Sequence, residues 1–258
     1  MNKRGQLKSP RPAPARLRCP RNGVLEGPAY ADPIRISAVA APQGYDLIVQ
    51  QLIPGYASLA RLAVALLAAS PLASAEGAPV LVAGCGTGAE LVEASAQRPD
   101  WQLTAIDPSS EMLLAAQARL GDPGIQWRQT TVEKLGEEGR YAGALSVLVL
   151  QSLPDDGSKL AFLSALARSL QPGGQLVLVD RMAPERSPLQ TQVEAALLGF
   201  QRASGLEASA EELVPLTQGL HPIGEARLAA LVEAAGFSDP ARVFQALGYE
   251  GFLLQRRT

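Results

Sequence analysis

The chain predicts an α/β fold: a doubly wound sheet with an antiparallel hairpin at its C-terminal end. Three observations carry this. Short apolar runs alternate with helical stretches between residues 79 and 180. Pro79-Val80-Leu81-Val82-Ala83 is apolar without alternation, the pattern of a strand buried on both faces. It runs into Gly84-Cys85-Gly86-Thr87-Gly88 and then into a stretch of helical composition. Strand, glycine turn and helix form the first half of a nucleotide-binding βαβ unit, whose backbone N–H groups suit a polar or anionic ligand group.

Taken in order, residues 1–28 are rich in Pro, Arg and Gly without apolar periodicity and read as a disordered basic tail; residues 29–258 form one domain. Residues 43–69 predict two helices broken at Pro54-Gly55, the second packing on the sheet ahead of the first strand. Residues 101–106 predict a second strand ending at Asp107, and Pro108-Ser109-Ser110-Glu111 opens a helix. Residues 125–129 and 144–149 predict a third and a fourth strand, and residues 156–170 a helix. Pro172-Gly173-Gly174 reads as a turn before a fifth strand over 175–179, ending at Asp180. Residues 188–202 and 207–214 read as helices, so that 43–70 and 188–222 form a helical cap. A helix over 224–235 closes at Gly236, and strands over 241–246 and 249–255 join through Leu247-Gly248.

Composition bounds the function. The chain has 258 residues, 47% hydrophobic and 19% charged, enough for a sizeable core. Lys3, Arg4, Lys8, Arg11, Arg16, Arg18 and Arg21 make the first 25 residues +7, leaving −9 on the remainder. A body that acidic disfavours nucleic acid as partner, and the tail, without interleaved aromatics, reads as solvated. Cys19, Cys85 and His221 cannot supply a metal site, and two cysteines fit a reducing, cytoplasmic setting. The longest apolar run, 62–69, is too short for a membrane helix of about 20 residues.

Two residues stand out beside the turn. Asp107 lies 19 residues after Gly88, at the end of the second strand, where a carboxylate can accept two ribose hydroxyls. It could instead cap the following helix, but Ser109 can take that role and leave Asp107 free. Cys85 sits where a small residue is wanted, which packing explains.

The order of these motifs resembles the class I S-adenosylmethionine-dependent methyltransferases over roughly residues 43–256. Gly84 to Gly88 resembles the family's first motif, Asp107-Pro108-Ser109-Ser110-Glu111-Met112 its ribose-binding segment, Leu170-Gln171-Pro172-Gly173-Gly174 the turn before its fifth strand, and Ala235-Gly236-Phe237 with the hairpin its C-terminal end. The resemblance implies a seven-stranded Rossmann-like sheet and S-adenosyl-L-methionine as cofactor. It assigns cofactor contacts to Ala83, Gly84, Cys85, Gly86, Gly88, Asp107, Pro108, Met112, Thr131, Val132 and Val147. Ile53-Pro54-Gly55-Tyr56 and Phe200-Gln201-Arg202-Ala203-Ser204-Gly205 are similar to the branch containing carboxy-S-adenosylmethionine synthase, which implies a cofactor contact for Tyr56; packing on the sheet is its other reading. The chain departs from the family at Val82, where an acid commonly serves the cofactor's amino group, and at Thr131, where an aspartate is frequent. At Val147 the carboxy branch has a polar residue. Glu211 and Glu212 stand where that branch holds its extra carboxylate with an arginine, and acids there would repel one.

The expected function is methyl transfer to a small-molecule acceptor. Arg181, Arg202 and Tyr249 are candidates to line the acceptor pocket, and His221 is a candidate base or a surface turn residue. The alternatives are a non-catalytic relative, a tRNA-modification enzyme of the carboxy branch, and a nicotinamide-dependent oxidoreductase, whose fingerprint spaces its third glycine one residue further on. A homodimer is an open alternative to a monomer.

Overall fold

The computed structural model describes residues 42–121, 124–184, 187–206, 219–238 and 240–258. The basic tail, Cys19, Glu211, Glu212 and the helix expected over 207–214 lie outside the described residues.

Strands β1 (Pro79–Ala83), β2 (Gln102–Asp107), β3 (Gln126–Gln129), β4 (Tyr141–Val147), β5 (Leu170–Arg181), β6 (Ala241–Ala246) and β7 (Tyr249–Gln255) form one sheet in the order β3-β2-β1-β4-β5-β7-β6. The first five are parallel; β7 enters antiparallel between β5 and β6. Connections run one way from β1 to β2 and the other way to β4, so a crevice opens at the carboxyl ends of β1 and β4.

Helices α1 (Pro42–Leu52), α2 (Tyr56–Ala68), α3 (Ala89–Gln97) and α4 (Ser110–Leu120) cover one face of the sheet, packing Val64, Leu67, Leu91 and Leu113 against Val80, Val82, Leu145 and Val177. Helices α5 (Ser158–Ser169) and α7 (Glu225–Ala234) cover the other with Leu163, Leu166, Leu228 and Val232 against Leu81, Ala144 and Leu178. Double coverage explains why β1 is apolar on consecutive residues. Helix α6 (Gln190–Ala203) lies beyond the end of β5, and its Gln201 donates to the carbonyl of Leu52 at 3.2 Å. Helices α1 and α2 meet at 92° across Pro54-Gly55. No single described helix is long and apolar enough to cross a membrane.

Two elements differ from expectation. Strand β4 begins at Tyr141 and ends at Val147 instead of spanning 144–149, because Leu148 takes φ +61 and leaves extended geometry. Strand β5 begins at Leu170, not after the Pro-Gly-Gly turn. Leu170 pairs with Tyr141 and Gln175 with Gly143, so Pro172-Gly173-Gly174 forms a bulge within the strand, where a residue without an N–H is tolerated. The hairpin follows expectation, with Leu247 and Gly248 both at positive φ, as a two-residue turn of the type that matches strand twist requires.

Candidate functional site

The glycine turn is stitched to the end of β2. The N–H groups of Gly84 and Cys85 both donate to the carbonyl of Ile106, at 2.8 and 3.0 Å. Gly84 has φ +71, and a Cβ there would lie 2.4 Å from Val149 Cγ2, so both backbone and packing demand glycine. Gly86 has φ +50, and a Cβ on it would meet nothing within 4 Å: the space above it is open. Its N–H donates to Asp107 Oδ2 at 2.9 Å, while Asp107 Oδ1 accepts from the Ser109 N–H at 2.9 Å. Contrary to expectation, Asp107 is therefore not left free. Ser109 does cap α4 by accepting from the Met112 N–H at 3.3 Å, but the carboxylate is held by two backbone donors of its own. Each of its oxygens keeps acceptor capacity for a further donor. Burial pushes the Asp107 carboxyl above its usual range, against the pull of the two N–H groups.

Helix α1 is tied down onto this turn. Thr87 Oγ1 donates to Asp46 Oδ1 at 2.6 Å, and Arg119 of α4 pairs with Asp46 Oδ2 at 2.6 Å. Beneath the tie lies a cavity of about 30 Å³, lined among others by Tyr45, Tyr56, Cys85, Gly86, Glu90 and Val147. Burial raises both phenols, Tyr45 to about 12. Burial likewise pushes the Cys85 thiol up, so it is a packed residue and not a thiolate nucleophile. Glu90, in the first turn of α3, is only 6% exposed, and desolvation raises its carboxyl to about 7.

A larger cavity of about 300 Å³ lies past the carboxyl end of β5, between α6 and the β6–β7 turn. Arg181, Met182, Val193, Leu197, Gln245 and Leu247 contribute to its wall. Arg242, also there, is matched by Glu250 at 2.7 Å and Glu225 at 2.6 Å. The backbone N–H of Arg181 donates to Gln151 Oε1 at 3.1 Å, fixing the strand end. The two cavities share one edge of the sheet, since Val147 of β4 pairs with Val179 of β5, two residues before Arg181.

The structure brings Tyr56, Gly84, Cys85, Gly86 and Val147 to the smaller cavity and Arg181 to the larger. Ala83 is buried at the end of β1, and Gly88 opens α3 against Ala116 and Leu120 of α4. Pro108 is exposed beside Asp107, Met112 is half-buried in α4, and Thr131 starts a single 3-10 turn. The Val132 side chain packs into the core with Leu135 and Leu163. Three acceptor-side candidates lie away from the two cavities. Arg202 is exposed on the last turn of α6, Tyr249 is buried beside Arg181 on the neighbouring strand, and His221 is exposed, its N–H bonded to the carbonyl of Gln151; none lines either cavity. Sequence reasoning missed Tyr45, Asp46 and Glu90. An acid in the first turn of a helix reads as an exposed partner of the helix dipole, and only the packing of α1 over the turn buries Glu90.

Comparison with known proteins bears on this geometry. Residues 80–174, from β1 through the bulge of β5, match a family described as a methyltransferase domain. That match takes in the glycine turn and Asp107 and leaves the rest of the chain outside it. The chain is 36% identical over 106 residues to a ubiquinone biosynthesis O-methyltransferase of Xanthomonas axonopodis pv. citri, covering 40% of this chain and 42% of that one. It is 27% identical over 128 residues to a carboxy-S-adenosyl-L-methionine synthase of Shewanella oneidensis, covering 47% and 52%. The matches thus span about half the length, or less, of these curated relatives. The fold is similar to that of a 1,6-didemethyltoxoflavin-N1-methyltransferase of Burkholderia thailandensis, solved with bound 1,6-didemethyltoxoflavin and S-adenosylhomocysteine. That likeness has a TM-score of 0.57 at 20% identity, over 90% of this chain and 93% of the other.

Proposed function

We propose that this chain is a methyltransferase that uses S-adenosyl-L-methionine and acts on a small-molecule acceptor. The observation that supports this most is the bond from the Gly86 N–H to Asp107 at the topological switch point, beneath open space. The donor set fits the cofactor. Gly86 leaves room that a Cβ would fill, Asp107 retains acceptor capacity for two vicinal hydroxyls, and Tyr56 and Val147 offer apolar walls. The cavity of about 30 Å³ is smaller than the roughly 300 Å³ of a ligand site, so entry parts α1 and α2 from the turn. Among the described residues no basic side chain lines that cavity, which favours the plain cofactor over a carboxylated one.

When bound, S-adenosyl-L-methionine supplies a methyl group made electrophilic by the positive sulfur that departs as a neutral thioether. What the chain contributes is position and dryness. Asp107 and the turn fix the nucleoside end. Met182, Val193, Leu197 and Leu247 shield the larger cavity, and Arg181 presents a guanidinium to the acceptor there. Because His221 lies outside both cavities, the reading uses no histidine base.

The small volume at the turn, together with Val82 and Thr131, supports a second reading, a fold retained without turnover. Thermal unfolding with S-adenosylhomocysteine separates the two. At a hundredfold excess over Kd, binding stabilises by about 2.7 kcal/mol, an upward shift of several degrees. No shift at millimolar ligand supports the second reading.

A further inference from the structure

Glu90 is the one acid among the residues that line the cavity at the glycine turn. It is 6% exposed, and among the described residues no basic side chain forms an ion pair with it. Arg119, whose charge favours the ionised carboxyl, is already engaged by Asp46. Among the described residues, only its own backbone N–H and the distant charge of Arg119 favour the ionised Glu90 carboxyl, and Asp46 adds like charge. A carboxylate so buried is costly unless a cation meets it. Placement in the first turn of α3 offsets little of that cost, since burial outweighs it and drives the carboxyl to about 7. A glutamine or a leucine would fill the same space without the penalty.

The family's usual acid, two residues before the first glycine, is Val82 here, 2% exposed and packed in the core. Strand β1 therefore offers no anion to a cationic ligand group, and the anion the cavity does have stands on the other side of the turn.

We propose that Glu90 binds the α-ammonium of the cofactor's amino-acid tail, so that the acid absent from the end of β1 is supplied from the first turn of α3. The inference rests on the reading of the crevice given above. The ammonium brings one positive charge and three donors to a carboxylate that can only accept. The Tyr45 and Tyr56 rings exclude water around the pair, which strengthens it. The tail's own carboxylate is repelled by Glu90 and faces the N–H groups of the turn instead.

Calorimetric titration tests this with three ligands: S-adenosylhomocysteine, its deamino analogue, and 5′-methylthioadenosine, which lacks the amino-acid tail. The wild type should bind the deamino analogue about 10- to 100-fold more weakly than S-adenosylhomocysteine, the span expected for a desolvated charge pair. Glu90→Gln should lose a similar factor for S-adenosylhomocysteine and less than twofold for 5′-methylthioadenosine. Equal affinity of the wild type for S-adenosylhomocysteine and its deamino analogue overturns the proposal without recourse to any variant. So does a Glu90→Gln loss shared equally by all three ligands. If the wild type binds neither S-adenosylhomocysteine nor 5′-methylthioadenosine, the reading of the crevice fails, and the proposal with it.

Discussion

Replacing Glu90 by glutamine should make the ligand-free protein more stable above neutral pH. Burial raises the Glu90 carboxyl from 4.5 to about 7, so the folded state holds its proton more tightly than the unfolded state does. The stability linked to that proton is fully present below about pH 4.5 and is lost as pH rises through 7. A shift of that size is worth about 3 kcal/mol above pH 7, at about 1.4 kcal/mol per pH unit. Glutamine carries no charge to desolvate, and its amide oxygen can still accept from the residue-90 N–H. Asp180, also raised to about 7 by burial, titrates in both proteins and cancels in the difference. Urea unfolding at pH 5 and at pH 8.5 reads the effect. The variant should gain about 3 kcal/mol at pH 8.5, or roughly 6–12 °C in Tm for a domain of this size. At pH 5 the gain should fall to a small fraction of that. A variant no more stable than wild type at pH 8.5, or a gain equal at both pH values, refutes the reasoning. With saturating S-adenosylhomocysteine the two proteins should draw closer, because the ligand's ammonium compensates only the wild type.

Three further outcomes follow from the same site. Gly84→Ala meets Val149 Cγ2 at 2.4 Å and forces a side chain onto φ +71, so it should cost about 2–4 kcal/mol in urea unfolding, with Val149→Ala in the same chain restoring only the steric share. Asp107→Ala leaves the N–H groups of Gly86 and Ser109 without their acceptor and removes the sugar's partner, so S-adenosylhomocysteine should bind about 10- to 100-fold more weakly by calorimetry. His221→Ala should leave methyl transfer and its pH profile unchanged within twofold, since the imidazole is exposed and lines neither cavity; a lost limb in the profile would reinstate it as a base.

Particular residues show where sequence reading reached its limit. The bounds of β1, β6 and β7 follow from their own composition and from turn residues beside them, Gly84 after β1 and Leu247-Gly248 between β6 and β7, because strand periodicity and turn chemistry are local properties. Asp107 was legible as a candidate site residue from its distance to the glycine turn. Its engagement by the Gly86 N–H was not, because that bond joins residues 21 positions apart. The bulge at Pro172-Gly173-Gly174 reads locally as a turn; only the pairing of Leu170 with Tyr141 makes it part of a strand.

The chain's order of strands, glycine turn and helices, and hence the class of fold and the edge on which the crevice opens, was written in the sequence, where each signal spans a few neighbouring residues. Which side chains face that edge was decided by packing across distant segments. Tyr45 and Asp46 of α1 close over the turn, seal Glu90 from water and leave His221 and Arg202 outside. Burial sets the charge state of an acid, and burial is made by contacts that no short stretch of sequence contains.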